Sequence, residues 1–273
     1  MNVKIDSSNV EQSDLMSNIK FSIVTISLNS EEDIENTIVS VADQTYKNKE
    51  HIIIDGGSQD STVEIIRKYS EHLSYWVSEP DKGIADAMNK GIESATGDYL
   101  LFINSDDFLI NNQALESIYS SIQDRIDYYI FKVMSVYPDG TRKLLGNRNF
   151  GLSTYFKMGS CHQGHVVSRK LFEKYGTYDT SFKIGMDYEF VLRVFSRHVK
   201  SKSVDIVISC FRRTGISSRK DWVGLRQRFT DERKAHEKNC ANAILRVIYP
   251  AYWFAYLTYR KVVHVAVNLY GPS

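Results

Sequence analysis

The fold is decided by the stretch Gly97-Asp98-Tyr99-Leu100-Leu101-Phe102-Ile103-Asn104-Ser105-Asp106-Asp107. Its apolar part has the length of a short buried strand, and two adjacent carboxylates, Asp106 and Asp107, follow where that strand ends. Adjacent acids are costly there unless a cation or a set of hydrogen-bond donors neutralises them. Mg²⁺ and Mn²⁺ prefer oxygen ligands and are commonly shared with phosphates. The stretch therefore predicts a metal-diphosphate site; the alternative is an acidic turn that caps the next helix.

Composition indicates an ordinary globular protein. The chain has 273 residues, of which 42% are hydrophobic and 25% charged, enough for one large domain or two small ones. Its three cysteines show no metal-ligand spacing, which favours a reducing compartment. The first 20 residues contain no apolar segment, and no uncharged apolar run reaches the ~18 residues that span a bilayer. These features predict a cytoplasmic protein.

Strands and helices alternate on both sides of the opening stretch. Hydrophobic patterns predict strands at 21–28, 51–55 and 73–77, each followed by a helical pattern, and a fourth strand that ends in the two acids. This alternation predicts a parallel, doubly wound sheet. Ligands of such sheets bind outside the carboxyl ends of the strands. The second half, with strands near 127–137 and 203–211 and helices near 168–174 and 187–196, is predicted to complete the cleft.

Four segments in order, at 23–29, 52–60, 81–91 and 104–107, resemble the family 2 glycosyltransferases, with bacterial polysaccharide and O-antigen enzymes the nearest relatives. The resemblance implies the α/β GT-A fold, which is a Rossmann-like nucleotide-binding mixed sheet flanked by helices, here with a C-terminal helical tail. It also implies a GT-A domain at 20–218, with a nucleotide-sugar half (20–107) and an acceptor half (108–218). Composition predicts a flexible, Ser/Asn/Asp-rich extension at 1–19 and a basic, aromatic tail at 219–273.

The resemblance places the base of a UDP-sugar at the ends of the first two strands. Asp55 would accept a hydrogen bond from the uracil N3–H, while Ile26, Ser27 and Leu28 would line the base. From the residues alone, Asp55 is equally well explained as a turn residue or a helix cap before Gly56-Gly57.

The same resemblance assigns the metal and the sugar. Asp106 would bind the divalent metal, Mn²⁺ or Mg²⁺, of the family's D-x-D motif, in which this chain has Asn104 instead of the first aspartate. Ser105 would lie beside the ribose. Lys82 is a candidate contact to the diphosphate or sugar, or a solvated loop lysine. Asp86 is a candidate contact to sugar hydroxyls, or an acid that complements the helix dipole.

Residues 185–193 resemble the family's acidic motif at the start of the helix below the acceptor. Asp187 matches the position of the catalytic base, which must take the proton of the attacking hydroxyl. The alternative for Asp187 is a helix N-cap. His162 and Gln163 are candidates for binding the acceptor sugar, although a lone histidine is more often structural. Two further residues are candidates for the diphosphate or belong to a solvated charge run, Arg212 and Arg213.

The end of the chain is basic and aromatic. From residue 211 onward there are 12 Lys/Arg against 4 Asp/Glu, a net charge of +8, so that residues 1–210 carry −7. An uncharged stretch at 247–259 contains residue types that favour the boundary of water and lipid, Tyr249, Tyr252, Trp253, Tyr256 and Tyr259. The pattern predicts contact with an anionic membrane surface, peripheral on the inner face of the cytoplasmic membrane. The alternative is a helix pair packed on the domain or on a second subunit of a homo-oligomer.

Together these features predict an inverting, metal-dependent transfer of sugar from a UDP-sugar to a glycan hydroxyl in surface polysaccharide synthesis. The expected acceptor is linked to a polyprenyl diphosphate. Two alternatives stay open, a sugar-1-phosphate nucleotidyltransferase and a non-catalytic protein that binds nucleotide sugars. Nucleic acid is not an expected partner, because the basic tail belongs to no recognisable nucleic-acid module.

Overall fold

The computed structural model describes residues 19–213, 221–240 and 242–270. The strands in these residues are β1 (Phe21–Ser27), β2 (Lys49–Asp55), β3 (Tyr75–Ser78), β4 (Tyr99–Phe102), β5 (Phe108–Leu109), β6 (Tyr128–Val136), β7 (Arg142–Leu145), β8 (His165–Ser168) and β9 (Ser201–Arg212). The helices are α1 (Ile34–Ala42), α2 (Thr62–Lys68), α3 (Ile84–Ser94), α4 (Ala114–Tyr119), α5 (Arg169–Tyr175), α6 (Met186–Phe195), α7 (Trp222–Lys238) and α8 (Ala243–Tyr270).

All of these strands belong to one mixed sheet, in the order β3-β2-β1-β4-β8-β6-β9-β5, with β7 paired to β6. The first four strands are parallel, as the alternation of strands and helices predicts. β8 then joins β4 in the antiparallel direction, and β6 continues antiparallel to β8. The mixed sheet expected from the family resemblance is therefore confirmed, whereas the purely parallel arrangement is limited to the first half.

The register of the parallel strands brings three chain segments to one edge. Ser27 at the end of β1 pairs with Asp55 at the end of β2. Beyond β4 the chain continues along β1, since the Ile103 amide donates to the Val24 carbonyl (3.1 Å) and the Ser105 amide to the Ile26 carbonyl (3.2 Å). The polar residues after these strands therefore share the carboxyl edge of the sheet, where ligands of α/β proteins bind.

Both faces of the sheet are covered by apolar side chains. Alternation along β1 sends Val24 into a cluster with α3, α5 and α6, and Ile23 into a cluster with α1 and α4 on the other face. α3 lies very close to β1, because a Cβ at Gly91 would be only 2.3 Å from Val24 Cγ1. This packing fixes the loop before α3 next to the strand ends.

The two C-terminal helices pack on the second half of the sheet domain. Leu225 and Phe229 of α7 form a buried cluster with Leu245, Tyr249 and Trp253 of α8. Tyr249 and Trp253 are only 4% and 2% exposed. The prediction that these two rings lie at a lipid boundary is therefore wrong, because they are buried against α7 and cannot contact lipid. The helix pair thus packs on the domain, whereas contact of the tail with a membrane or a second subunit stays a prediction.

A buried hydrogen-bond chain ties these helices to α6. Trp253 Nε1 donates to His236 Nδ1 (3.0 Å), and His236 Nε2 lies 2.7 Å from the Tyr188 hydroxyl, which donates to the Thr154 carbonyl (2.9 Å). Burial lowers the pKa of His236 to about 4, so the imidazole is neutral near pH 7.

No helix in the described part of the chain is long and apolar enough to cross a membrane. The first 18 residues of the predicted extension, and the predicted domain boundary at 218, lie outside the described residues.

Candidate active site

A cleft of about 710 Å³ opens at the carboxyl edge of the sheet. Both halves of the domain line it, the first through the segments after β1 and β4 and the second through the segment before β8 and the start of α6. The lining includes nine of the site residues predicted from the sequence, namely Ile26, Ser27, Leu28, Asn104, Ser105, Asp106, His162, Gln163 and Asp187. The structure thus brings the predicted metal ligand and the predicted base to one cavity.

Asp187 and His162 face each other within the cleft. Asp187 Oδ2 lies 3.7 Å from His162 Nδ1, and each side chain is 22% exposed. Asn104 Nδ2 lies 3.3 Å from His162 Nε2. Because an amide nitrogen can only donate, the neutral imidazole carries its hydrogen on Nδ1, on the side of Asp187. Asn104, His162 and Asp187 therefore form a polar row that connects the two halves of the domain.

Burial shifts the pKa values of both members of this pair toward the neutral forms. It raises the pKa of Asp187 above the ordinary aspartate value, and the nearby His162 only partly opposes this shift. It lowers the pKa of His162, although Asp187 and then Asp106 oppose that effect. A carboxylate with a raised pKa is a better proton acceptor than an ordinary aspartate, as a general base requires.

The adjacent acids after β4 have different environments. Asp106 faces the cleft, whereas Asp107 is fully buried and its carboxylate accepts from Gln163 Nε2 (2.8 Å) and from the Arg212 amide (3.1 Å). Burial, with Asp106 beside it, raises the pKa of Asp107 well above its usual range. Asp107 thus joins β4 to Gln163 and β9. Because the Gln163 amide nitrogen is occupied in this way, its predicted contact with acceptor hydroxyls stays a prediction.

Asp55 is wholly buried and does not line the cleft. Its carboxylate accepts from the hydroxyls of Ser27 (2.8 Å), Ser58 (2.5 Å) and Ser78 (2.7 Å), and from the amides of Gly57 (3.1 Å) and Ser58 (2.9 Å). Burial alone would raise the pKa of Asp55, but these hydrogen bonds hold it below the usual value. A hydrogen bond to a base would require one of these donors to move, and that role stays a prediction.

The other four candidates also lie outside the lining of the cleft. Lys82 is exposed, and its backbone amide donates to the Asp86 carboxylate (3.0 Å), so that Asp86 stabilises the start of α3. Arg212 reaches the rim, where its guanidinium pairs with the cleft residue Asp33. Arg213 instead donates to Ser135 Oγ (2.7 Å). Their predicted contacts with the donor stay predictions.

The cleft is suited to a ligand that arrives with a cation. Seven acids line it and, among the described lining residues, no lysine or arginine, so a diphosphate needs another source of positive charge. Asp106 offers a carboxylate, and the buried Asn104 Oδ1 has no hydrogen-bond partner in the described structure. No group of three or more His, Cys, Asp or Glu within the described residues is placed to hold a metal. A Mg²⁺ or Mn²⁺ ion therefore fits as an ion shared between Asp106 and the phosphates of a nucleotide.

Asp231 of α7 is a residue of this site that sequence analysis missed. Its Oδ2 accepts from three consecutive backbone amides before α6, those of Lys183 (3.0 Å), Ile184 (2.8 Å) and Gly185 (3.2 Å). Asp231 is 3% exposed and anchors the backbone just before α6, the helix that carries Asp187 in its first turn. It lies 46 residues after Gly185 in the chain, so local sequence gave no signal.

Glu189, two residues after Asp187, is fully buried and pairs with Arg193 (2.6 Å) and Lys238 (3.3 Å). It therefore links α6 to α7 and does not line the cleft.

Comparisons with known proteins identify the family of the chain. Residues 22–185 match the profile of Glycosyl transferase family 2. An uncharacterized glycosyltransferase of Mycobacterium tuberculosis is 33% identical over 214 residues, which cover 73% of this chain and 78% of that relative.

Two solved structures share the fold. S. aureus TarS 1-349 in complex with UDP-GlcNAc has a TM-score of 0.63 at 17% identity and covers 81% of this chain and 72% of its own. Mannosyltransferase PcManGT from Pyrobaculum calidifontis, in complex with GDP-Man and Mn²⁺, has a TM-score of 0.65 at 14% identity. The match covers 94% of this chain and 76% of PcManGT.

The fold is thus that of the GT-A glycosyltransferases. The chain belongs to glycosyl transferase family 2. This assignment selects glycosyl transfer over the alternatives of nucleotidyl transfer and non-catalytic binding.

Proposed function

We propose that this glycosyltransferase is inverting, uses a UDP-sugar and a divalent metal, and extends a lipid-linked glycan during synthesis of a surface polysaccharide. The observation that carries the proposal is the position of Asp106 and Asp187 in one cleft, contributed by opposite halves of the domain. The solved relatives with UDP-GlcNAc, or with GDP-Man and Mn²⁺, support a nucleotide-sugar donor and a metal.

The reaction is a single displacement at the anomeric carbon of the donor. The acceptor hydroxyl oxygen attacks C1 and forms the new C–O bond, while the bond from C1 to the diphosphate oxygen breaks and its electron pair leaves with UDP. Asp187 takes the hydroxyl proton as the nucleophile attacks. Attack opposite the leaving group inverts the configuration at C1.

The other cleft residues bind and orient. His162, held by Asn104, faces Asp187 and limits the positions of its carboxylate. Leu28 is 57% exposed in the cleft and offers an apolar surface to the base. A divalent cation, when bound, would be held by Asp106 and diphosphate oxygens and would neutralise the charge that develops on the leaving group.

The test is sugar transfer and hydrolysis with a panel of UDP- and GDP-sugars, in Mn²⁺ and in EDTA. Removing a general base costs about 10²–10⁴ in rate, so Asp187→Asn is expected to lose transfer by that factor while it still binds UDP by calorimetry. Glu93→Gln, an exposed acid on α3, is the matched control and keeps full activity. Full transfer by Asp187→Asn, or equal transfer in EDTA, contradicts the proposal.

A further inference from the structure

Helix α8 has a second apolar face that is exposed in the described structure. Opposite the buried Tyr249 and Trp253, Val247 and Phe254 are each 77% exposed. Five more large apolar residues on α8 are exposed as well, Ile244, Ile248, Tyr259, Val262 and Val265. Together they extend over roughly 30 Å of helix. An apolar surface of this extent on a protein marks an interaction site.

A basic groove borders this face. It lies between α7 and α8 and has a volume of about 780 Å³, and its apolar lining residues are Trp222, Phe229 and Leu257. Four cations line it against a single acid, Glu237, namely Arg226, Arg233, Lys234 and Lys261. Thr258, which also lines the groove, donates to the Phe254 carbonyl (2.8 Å), so that groove and apolar face meet on adjacent turns of α8.

We propose that α8 docks on an anionic lipid bilayer, with its exposed face among the lipid chains and headgroups and the groove receiving lipid phosphates. Positive charge beside an apolar helix face is the combination that binds such membranes. Charge complementarity favours a bilayer over a second copy of this chain. A two-fold symmetric dimer through this face would bring the basic grooves of both copies to one interface, where like charges repel.

The experiment is co-sedimentation of the full chain with phosphatidylcholine vesicles, with and without phosphatidylglycerol. The protein is expected in the pellet only with the anionic lipid, and added salt should weaken the binding. Phe254→Asp should reduce partition by at least about tenfold, because a large apolar side chain is lost from the lipid. Neutralising Arg226 and Lys261 to glutamine should reduce it about fivefold per cation.

Two matched variants serve as controls. Leu144→Asp introduces the same charge at an exposed apolar residue of β7, and Lys143→Gln removes a cation from the same strand; both should bind vesicles like the wild type. UDP binding by calorimetry reports folding independently of vesicles, so failure here is distinct from failure of the proposed transfer reaction.

Three results would overturn the proposal. One is wild-type protein that stays in the supernatant with anionic vesicles. The second is equal binding by the wild type and Phe254→Asp. The third is a wild-type dimer, seen by light scattering, that Phe254→Asp converts to monomer while vesicles bind neither form; the apolar face would then be an interface between copies.

Discussion

The substitution Asp231→Asn tests whether α7 positions α6, the helix that carries the proposed base Asp187. The substitution keeps the shape of the side chain but removes the charge that faces three backbone amides in the segment just before α6. The remaining amide oxygen can accept only part of this set, and its NH₂ group has no acceptor among those amides. We therefore expect the first turn of α6, which carries Asp187, to become less stable and less well placed.

The size of the effect follows from the geometry. A hydrogen bond to a charged group contributes about 1.5–3 kcal/mol, and a charge at a buried helix terminus contributes up to ~2 kcal/mol. Because the variant retains one oxygen acceptor, we expect a loss of about 2–3 kcal/mol in the free energy of unfolding. For a chain of this size that loss corresponds to a fall in Tm of about 4–12 °C.

The decisive readout is kinetic. Since Leu28 and Asp106, which are proposed to contact the base and the metal-bound diphosphate, lie on the first half of the sheet, Asp231→Asn should lower kcat while KM for the donor and the affinity for UDP change little. Glu237→Gln is the matched control, because this exposed acid of α7 pairs with Arg233 in an i,i+4 salt bridge (2.8 Å), worth about 0.5 kcal/mol at most. Unchanged kcat in Asp231→Asn, or a loss confined to UDP affinity, would refute the positioning role.

Three further predictions concern the acids. Asp106→Asn should abolish the gain in UDP affinity that Mn²⁺ gives the wild type, expected at about 10–100-fold by calorimetry; an unchanged Mn²⁺ effect would exclude Asp106 as the ligand. Burial raises the pKa of Asp187, so the base is ionised only above that raised value, and the acid limb of kcat/KM should lie above the ordinary value of about 4; a limb at 4 or below would contradict this. Burial opposes ionisation of Glu50, but hydrogen bonds from Lys20, Ser22 and Thr96 lower its pKa from 4.5 to about 2. Its stabilisation, about 3 kcal/mol, is therefore complete above pH ~4.5 and is lost as the pH falls toward 2, so urea unfolding of Glu50→Gln should differ from wild type at pH 7 and converge with it in acid.

Most of the sheet could be predicted because its signals are local. β1 and β2 are apolar runs ended by polar or glycine residues, and both begin and end within two residues of the predicted bounds. The antiparallel entry of β8 between β4 and β6 could not be predicted, since the short run His165–Ser168 has no pattern that specifies a partner. Pairing between distant strands depends on the packing of the whole domain.

The candidate site also contains residues that the sequence predicts and residues that it does not. Residues that follow a strand, such as Asp106, were found because position after a strand is visible in sequence. The difference between Asp106 and Asp107 was not visible, because it depends on burial and on Gln163, which is 56 residues away. Asp231 was not predicted either, because its contacts are also with residues distant in the chain. For the same reason, the sequence did not indicate which aromatic residues of α8 are buried.

The contacts between the C-terminal helices and α6 imply that the tail completes the active site. Asp231 accepts from the Gly185 amide just before α6, Lys238 pairs with Glu189 (3.3 Å), and His236 Nε2 lies 2.7 Å from the Tyr188 hydroxyl. Each contact involves α6 or the residues just before it, within four positions of Asp187 along the chain. Because none of these bonds can form without α7, the free energy that holds α7 in place also holds the proposed base in the cleft. The helices therefore support the chemistry directly, whatever surface α8 contacts on its other side.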